Sequence, residues 1–136
     1  YRTDWGHSAA DLLDILSQGE FSNGHNLLDD VHILGLNCGA ESQRSEHTGM
    51  PYAINGIRQL SQAMIDHGIE PKRMMAYPNA GIPLLDKNHR TYYTQGPEEM
   101  LSDLDSLISE DVYLVGGCCG TTPLHIKGFR QALDVN

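Results

Sequence analysis

The stretch Val112-Tyr113-Leu114-Val115-Gly116-Gly117-Cys118-Cys119-Gly120-Thr121-Thr122-Pro123 sets the reading of the whole chain. A short apolar run reads as a strand and stops at paired glycines. Thr121 or Thr122 then offers a helix N-cap, and Pro123 suits the first turn of a helix running to about Leu133. The same succession occurs twice upstream. Residues 31–38 are an apolar run broken only by His32 and Gly35, the pattern of a buried parallel strand. A polar loop over 39–51 leads to Ile54, Ile57, Leu60, Met64 and Ile65 at helical spacing, with Gly68 as the stop. Residues 74–77 are a short strand candidate ending in the turn cluster Pro78-Asn79-Ala80-Gly81. A long loop over 82–96 follows, then a helix over 97–108 opened by Pro97, with Glu98 and Glu99 near the positive end of its dipole. A short amphipathic helix over 7–16, capped by Ser8, precedes all three units, and residues 17–30 read mainly as loop. Strands alternating with helices imply the α/β class, with parallel strands joined by right-handed crossovers.

Composition narrows the partners. The 136 residues carry 9 Lys+Arg against 18 Asp+Glu, a net charge of −9 and a pI near 5.0. With 40% apolar and 20% charged residues, this is a globular composition sized for one modest core. The acidic balance argues against nucleic acid and against an anionic membrane surface. No apolar run approaches the roughly 18–20 residues of a membrane-spanning helix. Three cysteines cannot form a closed disulfide set within one chain, and no secretory leader is visible. A reducing, cytoplasmic setting is therefore expected.

Cys38, Cys118 and Cys119 all fall at or just beyond the C-terminal ends of expected strands, as does Asn79 after the middle one. Parallel α/β folds bind ligands at that edge. Inert buried thiols are the plain alternative, but glycines flank each cysteine, and glycine permits close backbone approach. Gly116, Gly117 and Gly120 are read as giving the backbone room to aim both cysteines at one ion. Three thiolates make a good Zn²⁺ set with a fourth position left open. A substrate thiol in that position gives a formal charge of 2 − 4 = −2, which keeps sulfur electron-rich and nucleophilic. Such a centre favours S-alkylation over hydrolysis, which needs a stronger Lewis acid. Asn37 is read as a pocket group. His125, on the last expected helix, is read as a capping or supporting residue rather than a ligand. The other histidines are assigned to the surface. Trp5 and Phe129 are assigned to packing, and Asp11, Asp14, Glu98, Glu99, Asp103 and Asp105 to solvated helix faces.

Three segments occur in order: Gly35-Leu36-Asn37-Cys38, Tyr77-Pro78-Asn79-Ala80-Gly81-Ile82-Pro83, and Gly116-Gly117-Cys118-Cys119-Gly120-Thr121-Thr122-Pro123-Leu124-His125-Ile126. Together they resemble the homocysteine S-methyltransferase family over about residues 31–133. That family includes the homocysteine domain of cobalamin-dependent methionine synthase and the betaine–homocysteine methyltransferases. The resemblance implies a (β/α)₈ TIM barrel whose catalytic zinc is held by one cysteine after the sixth strand and a pair after the eighth. By motif these are Cys38, Cys118 and Cys119. Asn79 matches the asparagine of the seventh-strand segment, and its carboxamide oxygen is a candidate fourth ligand before substrate arrives. Asn37, Asn79 and Gly117 are the implied pocket residues.

The implied reaction transfers a methyl group to homocysteine thiolate, giving methionine. Methyl-cobalamin, betaine and S-methylmethionine all fit as donor. Two departures stand out. Residues 39–51 run longer than the family's short turn, and residues 84–96 are also extended; both loops belong to the catalytic rim. Nothing in residues 1–30 matches the N-terminal half of the barrel. Residues 1–136 are therefore expected to be the C-terminal part of a homocysteine-binding barrel domain, about strands 6–8 with their helices. The opening Tyr1, in place of methionine, agrees. The expected partner is the missing half-barrel or a second copy, and the alternative function is a catalytically incomplete zinc-binding half-barrel.

Overall fold

A computed structural model describes residues 1–134; the last two residues of the expected domain lie outside them. The three expected strands all form and all run parallel. Ile33–Asn37 (β1) pairs with Arg73–Tyr77 (β2) from Ile33 opposite Arg73 to Asn37 opposite Tyr77. On its other side β2 pairs with Val112–Val115 (β5), with one register shift between Met74 and Met75. The sheet order is β1-β2-β5. Each connection is long enough to carry a helix across the sheet, as parallel pairing requires.

Ala9–Ser17 (α1) begins as its sequence predicts. The Ser8 hydroxyl accepts from the Asp11 N–H, and Asp11 accepts from the Ser8 N–H, closing a capping box. Gly49–Asp66 (α2) takes in the last three residues of the expected 39–51 loop. Pro51 falls inside its first turn, where a missing N–H breaks no helical bond. Gly68 ends the helix at φ +64°: its N–H reaches Ile65 O and the Ile69 N–H reaches Met64 O, a Schellman motif. Pro123–Asp134 (α5) follows β5, with Thr122 immediately before it.

Two expected segments take a different form. The 82–96 segment is not simply loop. It holds an antiparallel hairpin, Pro83–Leu85 (β3) with Thr91–Tyr93 (β4). Asp86 closes it by accepting from the Asn88 and Arg90 N–H groups. The expected single helix over 97–108 is two, Pro97–Ser102 (α3) and Leu104–Ile108 (α4), divided at Asp103. There the Asp103 N–H turns back three residues to Met100 O, and aspartate is a weak helix former in an interior position.

The core lies between one face of the sheet and the helices. Leu34, Met74, Ala76 and Val112 from the strands meet Ile54, Ile57, Leu60, Leu104, Leu107 and Phe129. The opposite face is only partly covered: Met75 and Tyr77 alternate with buried Met74 and Ala76 and are half-buried. The run over 31–38, expected to be a buried strand, is fully buried within β1 only at Leu34. Phe129 packs as expected, but Trp5 is 89% exposed and packs nothing. Among the described residues, no helix is long and apolar enough to cross a membrane.

Candidate metal centre at the strand ends

The backbone ladder continues past the strands and draws the three strand ends together. The Cys38 N–H donates to Tyr77 O, the Cys118 N–H to Pro78 O, and the Ala80 N–H to Cys119 O, each at 2.9 Å. Three cysteines up to 81 positions apart thereby reach one rim. Their Sγ atoms lie 3.2 Å (Cys38–Cys118), 3.4 Å (Cys38–Cys119) and 3.9 Å (Cys118–Cys119) apart. All three are free thiols, and together they can hold a metal ion.

Backbone geometry helps aim them. Cys38 has φ +61° and Gly39 φ +96°. A left-handed non-glycine residue costs about 1–3 kcal/mol and is tolerated where the surroundings enforce it. The enforcing contacts here are the bond to Tyr77 O and the sulfur cluster itself. Gly117 serves by its small size. A Cβ there would meet the Thr121 side chain, whose hydroxyl is engaged with Cys118 O at 2.6 Å. Gly120 combines φ +81° with a position directly beneath the Tyr93 ring.

The surrounding polar groups differ in burial. Asn37 is exposed, and its Nδ2 donates to Cys118 Sγ at 3.7 Å. Asn79 is 5% exposed. Its Nδ2 donates to Gly39 O at 3.4 Å, while its Oδ1 is buried with no hydrogen-bond partner in the protein. Burial pushes the Cys38 thiol up to about 11, with the contacts to Cys118 and Cys119 adding to it. Burial acts upward on Cys118 too, but hydrogen bonds from Cys38, Asn37 and the Cys119 backbone outweigh it and hold that thiol below its ordinary value.

His125 is buried and supports the site from behind. Its Nδ1 accepts from the Thr122 N–H at 3.0 Å, the reciprocal half of a capping box, and its Nε2 donates to Gln95 O at 3.1 Å. The neutral ring with its proton on Nε2 satisfies both bonds, which leaves neither nitrogen free for a metal.

Three features were not evident from the sequence. Tyr93 on the hairpin lies over Gly120, and desolvation and the nearby Cys119 hold its phenol above the ordinary value. The triples Pro83–Leu85 and Thr91–Tyr93, separated by Asp86 and Asn88, were the available hairpin signal. A cleft of about 540 Å³ opens beside Cys38 and Asn37, floored by Gly35, Leu36 and Leu60. Tyr1 lines it: its hydroxyl donates to Asn37 O at 2.9 Å, and burial pushes its phenol up to about 12. Thr48 and Gln95 leave buried side-chain oxygens without partners in the protein.

Comparison with known proteins agrees with the motifs. A family model described as homocysteine S-methyltransferase matches residues 5–133. The match begins upstream of residue 31 and takes in α1, so the resemblance is longer than the three motifs suggest. Methionine synthase of Mycobacterium leprae (strain TN) is 39% identical over 105 residues, covering 76% of this chain and 7% of that protein. Methionine synthase of Mycobacterium tuberculosis (strain ATCC 25618 / H37Rv) is 38% identical over 105 residues, covering 76% of this chain and 8% of that protein. The chain thus spans less than a tenth of the length of these relatives.

Proposed function

The chain belongs to the homocysteine S-methyltransferase family, and we propose that it carries the thiol-activating part of a zinc-dependent homocysteine S-methyltransferase. In this reading residues 1–136 are the C-terminal portion of a (β/α)₈ barrel. The parallel order β1-β2-β5, with helices between strands, suits three consecutive barrel strands.

The observation that carries the reading is the sulfur triangle. A tetrahedral zinc site with Zn–S bonds of ~2.3 Å separates its sulfurs by ~3.8 Å, and the three separations here run from 3.2 to 3.9 Å. An all-thiolate set without carboxylates suits zinc better than magnesium or calcium. Cys38, Cys118 and Cys119 would hold the ion. When bound, Zn²⁺ supplies an open fourth position at which homocysteine's thiol is held as a nucleophilic thiolate near neutral pH.

The chain's own residues have simpler tasks. The attack moves a methyl group from donor to sulfur and no proton, so no general base is needed at that step. Asn37 steadies the charge on Cys118 through its Nδ2–H. Asn79, with its buried and unpartnered Oδ1, is the candidate to fill the fourth position before substrate arrives. Gly117, the remaining proposed pocket residue, leaves room for the Thr121 side chain, whose hydroxyl holds Cys118 O. Homocysteine and a methyl donor are the proposed partners, in a cytoplasmic setting.

A second reading has its own support. β1 and β5 each pair on one side only among the described residues, and one sheet face is partly bare. The chain alone would then be a catalytically incomplete zinc-binding half-barrel that needs the N-terminal half or a second copy.

X-ray absorption on the zinc-loaded chain tests the site. About one zinc per chain with three sulfurs and one lighter ligand is expected, changing to four sulfurs when homocysteine is added. Sulfur-only coordination that ignores homocysteine would falsify the open-site mechanism. In Asn79→Ala the lighter ligand should change; coordination identical to wild type removes Asn79 from that role alone.

A further inference from the structure

Tyr1 adjoins the turn that carries Cys38, the candidate ligand at the end of β1. Its hydroxyl donates to Asn37 O at 2.9 Å, and Cys38 O lies 3.4 Å from the same hydroxyl. Asn37 O belongs to the peptide plane that enters Cys38, and Cys38 O to the plane that leaves it. Peptide planes are rigid and meet only at the Cα, so one hydroxyl in contact with both restricts the rotation between them. The residue restricted in this way is the one with φ +61°, a conformation that a side-chain-bearing residue keeps only where its surroundings enforce it. The bond from the Cys38 N–H to Tyr77 O acts on the amide side of the same turn. Tyr1 acts on its carbonyl side.

The hydroxyl can hold the turn because the ring behind it is itself held. The ring pairs with that of Tyr52, with centroids 4.8 Å apart and 32° between the planes. Tyr52 is buried in α2 and gives it a fixed platform. Two glycines leave the slot that the ring fills. A Cβ at Gly39 would stand 3.0 Å from Tyr1 Oη and Cε2, and one at Gly56 would stand 2.8 Å from Tyr1 Cδ2 and 2.5 Å from Leu36 Cδ2. Gly56 lies in the interior of α2, where glycine costs helix stability. Room for the Tyr1 ring and Leu36 accounts for its presence there.

We propose that Tyr1 is a positioning residue of the metal centre: its hydroxyl pins the two peptide planes that meet at Cys38 and so keeps that thiol aimed at Cys118 and Cys119. Without the hydroxyl, Cys38 is free to relax toward negative φ, which swings its Cβ and Sγ away from the other two sulfurs. The role rests on the reading of the three cysteines as a zinc site. It needs no contact between Tyr1 and the ion.

Two variants of the full chain test it. Tyr1→Phe keeps the ring in its slot and removes the hydroxyl, and Tyr1→Ala removes both. Zinc affinity, measured by competition with a chromophoric chelator, should fall about fivefold in Tyr1→Phe, the worth of one net hydrogen bond. At saturating zinc, alkylation by iodoacetamide, followed thiol by thiol by mass spectrometry, should speed up at Cys38 by a similar factor. Cys118 and Cys119 should keep their wild-type rates. A ring that serves only as packing predicts a Tyr1→Phe chain identical to wild type, with losses in Tyr1→Ala alone. That outcome, or a faster reaction of all three thiols alike, would overturn the role of the hydroxyl and leave the zinc site standing. A wild-type chain that takes up no zinc would overturn both.

Discussion

Gly120 is the residue at which backbone and side-chain constraints on the site are most tightly combined. Its φ of +81° is disfavoured for any L side chain, and its Cα faces the Tyr93 ring. Gly6 has nearly the same φ, +83°, with nothing near the position of a Cβ. The two glycines therefore separate strain from collision. Gly6→Ala should cost about 1 kcal/mol from the left-handed backbone alone. Gly120→Ala should cost about 2–4 kcal/mol, because the ring or the strand end must also move, and it should weaken zinc binding through the adjacent Cys119. Urea unfolding of both variants measures this, and equal losses would show that the Tyr93 contact carries no energy. At this scale the cysteines were legible, since each lies in a contiguous motif next to glycine. The left-handed φ of Cys38 was not, because it is enforced by bonds to β2 and by sulfurs some eighty residues away. Neither was the isolation of Thr48 and Gln95, which depends on two loops meeting.

The capping box of α1 shows how an element responds to conditions. Asp11 accepts from the Ser8 N–H and hydroxyl, each at 2.7 Å, and the backbone bond is the larger cause holding its carboxyl below the ordinary value. A carboxyl lowered in the folded state contributes stability above its unfolded pKa, near pH 4, and loses it as pH falls through the lowered folded value. Asp11→Ala should therefore be less stable than wild type at pH 7, and the gap should shrink below about pH 4. Thermal melts of both proteins from pH 7 to pH 2 check it; a gap independent of pH would assign the loss to helix propensity instead. Elements of this kind were legible because their signals are local: Ser8, Pro97, Gly68 and Pro123 mark their ends as expected. The break at Asp103 and the hairpin over 83–93 were harder to read. No glycine or proline marks the first, and the apolar stripe of Met100, Leu104 and Leu107 runs straight through it. The second depends on Asp86 folding a turn around Asn88, a side-chain bond that residue spacing does not reveal.

At the scale of the whole molecule, the sheet poses a physical problem. A parallel strand rich in Val, Ile, Leu and Met is normally covered on both faces, but here Met75 and Tyr77 lie half-buried opposite the core. β1 and β5 leave backbone groups along their outer edges, which favours pairing with another chain. Phe21, Tyr113 and Leu124 are also exposed. These surfaces are the ones that earlier barrel strands and helices would cover in the incomplete-barrel reading. The net charge of −9 opposes association through long-range repulsion, which salt screens. Size-exclusion chromatography with light scattering should therefore give a mass above the 15.0 kDa of one chain, rising between low and physiological salt. Supplying an upstream segment of roughly 150 residues, enough to complete a barrel of about 250, should abolish that association and sharpen unfolding into one cooperative transition. A lone chain that stays monomeric at all salt concentrations and unfolds cooperatively would overturn the incomplete-barrel reading. It would leave the sulfur triangle untouched, because the three cysteines are fixed by the β1-β2-β5 ladder within this chain.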